Sequence, residues 1–273
     1  MRTRLVVAVV LLLAGCSGLS GGDDAGGRTV NPNLQGTVSP TASPTPTPEY
    51  PSGVTAEGVD PWILANAHHR TLASDGATVR SNRTIVGPDG VTLATVESRY
   101  ERSGSRVASG FTVGGAAPER VGVPGFDYAL WSDGNETATM RTRPDGEAEY
   151  SHFTGSPPSS LVVPGTGRDA VYRVLADVNV TVAGPEVVDG ETRFPLRAES
   201  DRVERVGAPT RSNYSLVASV TEDGVVRSYR VRYEEEREGV GVVSIREEFR
   251  VSDLGNTTVP PPQWVEDARQ ESE

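Results

Sequence analysis

Two runs near the C-terminal end decide the fold: Tyr229-Arg230-Val231-Arg232-Tyr233 and Val243-Ser244-Ile245-Arg246-Glu247-Glu248-Phe249-Arg250-Val251. In the first, Tyr229, Val231 and Tyr233 alternate with Arg230 and Arg232. In the second, Val243, Ile245, Phe249 and Val251 share a face with Glu247, opposite Ser244, Arg246, Glu248 and Arg250. A period of two marks an extended strand with one buried and one wet face, an asymmetry that antiparallel sheets tolerate. Outward from these runs, Pro88-Asp89-Gly90, Ser103-Gly104, Asp133-Gly134-Asn135, Pro144-Asp145-Gly146, Asp189-Gly190 and Glu222-Asp223-Gly224 each separate two extended-looking segments. Asp-Gly supplies the positive φ that tight hairpin turns need. The strands so implied span 77–87, 91–102, 105–113, 127–132, 136–143, 147–154, 178–188, 191–199, 213–221, 225–237 and 240–252. Short links of this kind join antiparallel neighbours, so the strands read as a meander.

Two segments change period. Asp60 as N-cap with Pro61 at the first helical position starts a helix that runs to about Ser74, with Ile63, Leu64, Ala67 and Leu72 as a loose apolar face and Asp75-Gly76 as its stop. Between the sixth and seventh strands, the run from Arg168 to Ala176 places Ala170, Val171, Val174 and Leu175 at helical spacing. The expected fold is therefore mainly β (α+β): a curved antiparallel meander sheet or half-barrel of about 11 strands, with two helices packed on one face. It forms a single domain over residues 57–273 that ends in a tail.

Composition bounds what this domain does. The chain has 273 residues and a formal charge of −11, and all 26 of its basic residues are arginine. Average usage would supply on the order of 15 lysines. Such an acidic balance argues against a nucleic-acid partner. One cysteine and three histidines exclude a disulfide framework and a Cys/His metal cluster.

At the N-terminus, Arg2 and Arg4 precede an unbroken apolar run from Leu5 to Ala14. As a helix it is roughly 15 Å long, short of the ~20 residues that span a bilayer, so residues 1–15 read as a signal peptide. Leu13-Ala14-Gly15-Cys16 resembles the lipobox of secreted lipoproteins, which implies that Cys16 is the lipidated first residue of the mature chain. Loss of the two arginines in residues 1–15 takes the charge from −11 to −13. Residues 16–56 are Gly/Ser/Asp-rich and then alternate Pro with Thr, a composition that favours extended polyproline II and reads as a tether.

The order of lipobox, Thr/Pro tether, early helix, antiparallel strands and a closing Pro261-Pro262-Gln263-Trp264-Val265-Glu266-Asp267-Ala268 resembles a family of uncharacterised lipoproteins from halophilic archaea. More remotely, the helix-and-meander order resembles the half-barrel of periplasmic lipoprotein carriers, which implies hydrophobic-ligand binding by analogy alone. The halophilic resemblance also accounts for the missing lysine. Arginine keeps its charge and pairs bidentately with the carboxylates of an acidic surface, though a genome rich in arginine codons gives the same count.

Several constellations bear on chemistry. Asn82, Asn135, Asn179, Asn213 and Asn256 each open an Asn-X-Ser/Thr sequon, five where chance gives roughly one or two, so they are candidate glycosylation sites. His68 and His69 are adjacent on a helix and about 100° apart, which keeps them off a common metal, and His152 stands alone in the sequence. Glu234, Glu235, Glu236 and Glu238 sit at a hairpin, either as oxygen ligands for a divalent cation or as a solvated end facing the arginines of neighbouring strands. Glu247, on an apolar face, must be paired, ligand-facing or raised in pKa unless it lies at a wet sheet end. It is the one ligand-facing candidate.

No Gly-X-Ser-X-Gly elbow, Walker loop or dinucleotide fingerprint is present. The expectation is a non-enzymatic protein without cofactor or metal, held through lipid on Cys16 at the outer face of the cell membrane. One reading makes it a binding module for an apolar ligand or an envelope partner; the other makes it a structural or interaction protein of the archaeal envelope with no ligand. An apolar cavity between sheet and helices favours the first, and a space plugged by Trp62, Leu72, Val174 and Leu175 the second. Membrane attachment has its own test: Cys16→Ser is expected to move the protein from the membrane fraction into the medium, and retention on membranes would refute the lipobox reading.

Overall fold

The computed structural model of the chain describes residues 49–158, 161–162, 167–204 and 208–271. The signal peptide, Cys16 and most of the tether lie outside these. Tyr50 packs on Phe194 with ring centroids 5.4 Å apart and Val54 is buried, so packed structure begins ahead of residue 57. A small hairpin, β1 (Val54–Thr55) with β2 (Gly58–Val59), leads into helix α1 (Pro61–Asp75). Asp60 caps it through Oδ1, which accepts from the Trp62 and Ile63 backbone N–H groups at 3.0 and 2.9 Å.

One antiparallel sheet follows. Its strands are β3 (Ala77–Val86), β4 (Thr92–Ser103), β5 (Arg106–Gly114), β6 (Asp127–Ser132), β7 (Glu136–Thr142) and β8 (Ala148–Thr154), then, after helix α2 (Arg168–Leu175), β9 (Thr181–Val182), β10 (Glu186–Val188), β11 (Glu191–Val203), β12 (Arg211–Thr221), β13 (Val226–Arg237) and β14 (Gly241–Ser252). Their order is β10-β11-β12-β13-β14-β3-β4-β5-β6-β7-β8, with β9 also on β11, and the sheet is not closed. Apart from β9 on β11, all neighbours but one are consecutive in the chain. The exception is β14 against β3, which joins the two ends of the folded chain in the middle of the sheet, from Ser244↔Val86 to Ser252↔Thr78. Asp189 and Gly190 show how tight the hairpins are: both have positive φ, 55° and 80°, as a two-residue link between β10 and β11 requires. The expected single strand over 178–188 is the short pieces β9 and β10, divided around Pro185, which cannot donate to a ladder.

Directly opposed residues in an antiparallel ladder share a face, so the register sorts every side chain to one of two sides. On one side Val79, Ile85, Leu196, Leu216, Val231, Ile245 and Phe249 are buried under α1 and α2. The Tyr229 ring stacks on Phe249, its cross-strand partner, with centroids 4.8 Å apart and planes 2° from parallel. From α1 come Leu64, Ala65, His68 and Leu72; Ile63, expected on this stripe, is exposed. His68 takes the extra inward place. Its Nδ1 accepts the Val226 N–H at 3.2 Å, and burial, with His69 beside it, pushes the imidazole down to about 3, so it sits in the core as a neutral acceptor. Fully burying side chains of this size stabilises by about 1.5–3 kcal/mol each.

The C-terminal segment is not a plain tail. It crosses to the opposite face, where Thr257 and Thr78 pair through their hydroxyls at 3.3 Å, and ends as a third helix, α3 (Trp264–Glu271). Val265 and Ala268 of α3 pack with Trp131, Ala138 and Val259 in a second, smaller core. Cross-strand pairing puts Trp131 and Ala138 on the side away from α1 and α2. The helices therefore lie on both faces, two on one and one on the other.

Candidate functional site

The sheet carries two polar constellations, one on each face. On the covered face, Glu247 of β14 is buried and accepts from Arg173 Nη2 of α2 at 2.9 Å and from the Tyr229 hydroxyl. Of the states open to a carboxylate in that position, it is paired. Burial works against the Arg173 charge, but Glu247 and the neighbouring Tyr229 and Tyr233 hold the guanidinium pKa above its ordinary value. Burial and the Glu247 charge raise Tyr229 well above the phenol range, so it remains a proton donor. Arg211, also buried, lies over the Tyr233 ring at 4.3 Å and opposite Glu235. Glu235 points inward and pairs with Arg237, while its neighbour Glu234 accepts from Asn213 Nδ2 at 2.8 Å. The acidic run thus splits between the faces as alternation demands. Among the described residues no three His, Cys, Asp or Glu side chains converge as a metal set.

The space between sheet and helices is filled. Leu72, Val174 and Leu175 are buried in the main core, and of the four residues expected to plug it only Trp62 stands outside, 53% exposed beside Tyr172. The hollow is on the other face. Residues of nine adjacent strands, β10 to β14 and β3 to β6, line one groove of 1190 Å³, so the sheet curves toward the side away from α1 and α2. Its floor follows from the register. One cross-strand row reads Ser228, Arg250, Arg80, Arg99, Gly110; the next reads Arg230, Glu248, Asn82, Glu97, Thr112. Arg230 and Glu248 pair at 2.9 Å, and Arg99 pairs with Glu101. Among the described residues Arg80 and Arg250 have no ion pair. The lining holds five arginines against three glutamates, a local positive excess in an acidic chain.

Near the far edge, Glu136 of β7 accepts from His152 Nε2 at 2.8 Å and from Arg269 of α3, whose guanidinium, with His152, holds the carboxyl down at about 2. His152 therefore has a carboxylate partner, one its distance from the other histidines did not reveal. All five sequon asparagines are exposed: Asn135 and Asn256 in turns, Asn179 ahead of β9, Asn213 at a β12 irregularity with φ 52°, and Asn82 in the groove itself. The groove arginines were visible in the sequence only as outward-facing residues of alternating strands. Their alignment needs the β14–β3 pairing, which no local signal encodes.

With this geometry in view, the comparisons add a family and one similar solved structure. A model described as a family of unknown function, DUF7537, matches residues 2–268. A comparison with curated proteins finds no match. The crystal structure of a DUF1329 family protein from Desulfovibrio piger is similar at 14% identity over 75% of this chain and 94% of that one, with a TM-score of 0.26.

The buried pair has a measurable weight. Glu247→Gln removes the charge that Arg173 and Tyr229 face and is expected to lower unfolding free energy by about 2–3 kcal/mol in denaturant titration, with cooperativity retained. A change below about 0.5 kcal/mol would mean that the pair is solvated rather than buried.

Proposed function

We propose that this chain, which belongs to DUF7537, a family of unknown function, is a non-enzymatic binding module held at the outer face of the cell membrane by lipid on Cys16. Its binding face is the hollow side of the sheet, the one that α3 covers only near β7 and β8. The observation that carries this reading is the division of labour between the two faces: one is filled by α1, α2 and the main core, while the other leaves a 1190 Å³ groove across nine strands. Clefts of that size are where proteins seat ligands. Five arginines and three glutamates stand in the lining, which supports a partner with matching charge. The lipobox and the long Thr/Pro-rich segment support the address, since a tether ahead of the packing of Tyr50 and Val54 lets a small domain reach well away from a membrane.

Occupancy of this face is testable without knowing the occupant. An arginine-directed dicarbonyl reagent is applied to intact cells and to the purified full-length chain, and modified peptides are compared by mass spectrometry. Arg80, Arg197 and Arg250 in the groove are expected to be protected on cells, while Arg143 and Arg168 outside it label equally in both. Equal labelling of all five would contradict the proposal.

A further inference from the structure

Resting on the reading of the groove as a binding face, we infer that its ligand is an acidic polysaccharide whose carboxylate or sulfate groups seat on Arg250, Arg80 and Arg99. These three side chains stand directly opposite one another on β14, β3 and β4. Like charges so placed destabilise a sheet. The pattern is not relieved by neighbours, because among the described residues Arg80 and Arg250 have no ion pair, whereas Arg230 and Arg99 each have a glutamate. A planar guanidinium presents paired donors to a carboxylate or sulfate, and two free ones side by side make an anion site.

The spacing and setting narrow the class. Adjacent strands lie about 4.8 Å apart, so the row offers one cation per strand at roughly the length of one sugar residue. Asn82, Thr112 and Ser228 lie in or beside the row as partners for hydroxyl groups. The arginines sit on the floor of a hollow, which a single polymer chain can enter and a flat bilayer surface cannot. Of the residues lining it, Val217 is the one exposed large apolar side chain, too little to hold acyl chains. Nor does an aromatic ring stand in the arginine row for nucleic-acid bases to stack on: Tyr229 and Phe249 are buried, and the half-buried Phe111 and Tyr128 follow Phe249 in one cross-strand row, on the opposite face of the sheet. Glu97, Glu186 and Glu248 within the same lining repel anions set off the arginine row, which makes the groove selective for charge position.

The test uses the purified full-length chain in titration calorimetry with polygalacturonate and dextran sulfate, against neutral dextran, single-stranded DNA and vesicles of an anionic phospholipid. Binding to at least one acidic polysaccharide is expected, weakening as salt rises, with none to neutral dextran. Arg80→Gln with Arg250→Gln should weaken it by about tenfold or more, while Arg143→Gln with Arg168→Gln leaves it unchanged. Thermal melting of the groove variant should not fall below that of the parent, because the substitution relieves repulsion, so lost binding is not lost folding. Failure to bind either polysaccharide, or binding indifferent to Arg80 and Arg250, overturns the inference. Equal or tighter binding of DNA or vesicles through the same two arginines overturns the ligand class. If groove arginines are protected on cells while neither polysaccharide binds, the binding-module reading stands and this one falls.

Discussion

Everything distinctive about this protein depends on the pairing of β14 with β3. Most of the rest of the sheet is assembled from strands that follow one another closely in the chain, but this ladder joins residues separated by most of the folded chain. Such a contact carries a large loop-closure cost and forms only when both halves are shaped to receive it. Once made, it acts on both faces at once. Side-chain alternation sends Glu247 inward to Arg173 and Tyr229, while its neighbours along the same strand, Glu248 and Arg250, face outward beside Asn82 and Arg80. The sealed face and the groove floor are two sides of one seam.

Arginine fits this arrangement in a way lysine would not. Arg227 grips Glu191 through two nitrogens at 2.9–3.1 Å, Arg141 lies 3.6 Å from the Phe126 ring centroid, and Arg211 is buried against tyrosines. Each use draws on a flat, permanently charged, weakly hydrated group. The absence of lysine, which in composition alone is ambiguous between salt and codon usage, corresponds in the fold to arginines that act as forks and stacking plates.

How much of this the sequence discloses follows from the range of each signal. Strand edges such as Ala77–Val86 and Asp127–Ser132 were legible to within a residue because Asp-Gly turns and period-two alternation are local. The start of α1 was legible because Asp60-Pro61 is a local cap. Helix α3 was missed: eight residues with only Val265 and Ala268 buried leave almost no periodic trace, and its stability comes from Trp131 and from Arg269 on Glu136. The direction of curvature was also hidden. A half-barrel suggests helices in the hollow, but side-chain volume on the covered face fills it, and only the three-dimensional register shows that the hollow lies opposite. Glu247 stood out in the sequence as a carboxylate among apolar residues, yet its partner Arg173 sits on α2, 74 residues away.

The most direct test of this account is a cross-link across the seam. In a Cys16→Ser background, which removes the native thiol, Asn82→Cys and Glu248→Cys would place two cysteines directly opposite each other on the open face, within the span a disulfide can bridge. Mild oxidation of the monomer should form an intramolecular disulfide, read by intact mass and by a single linked peptide after digestion. Two thiols that remain free, or link only between molecules, would show that β3 and β14 are not neighbours, and both the sealed face and the groove would lose their foundation.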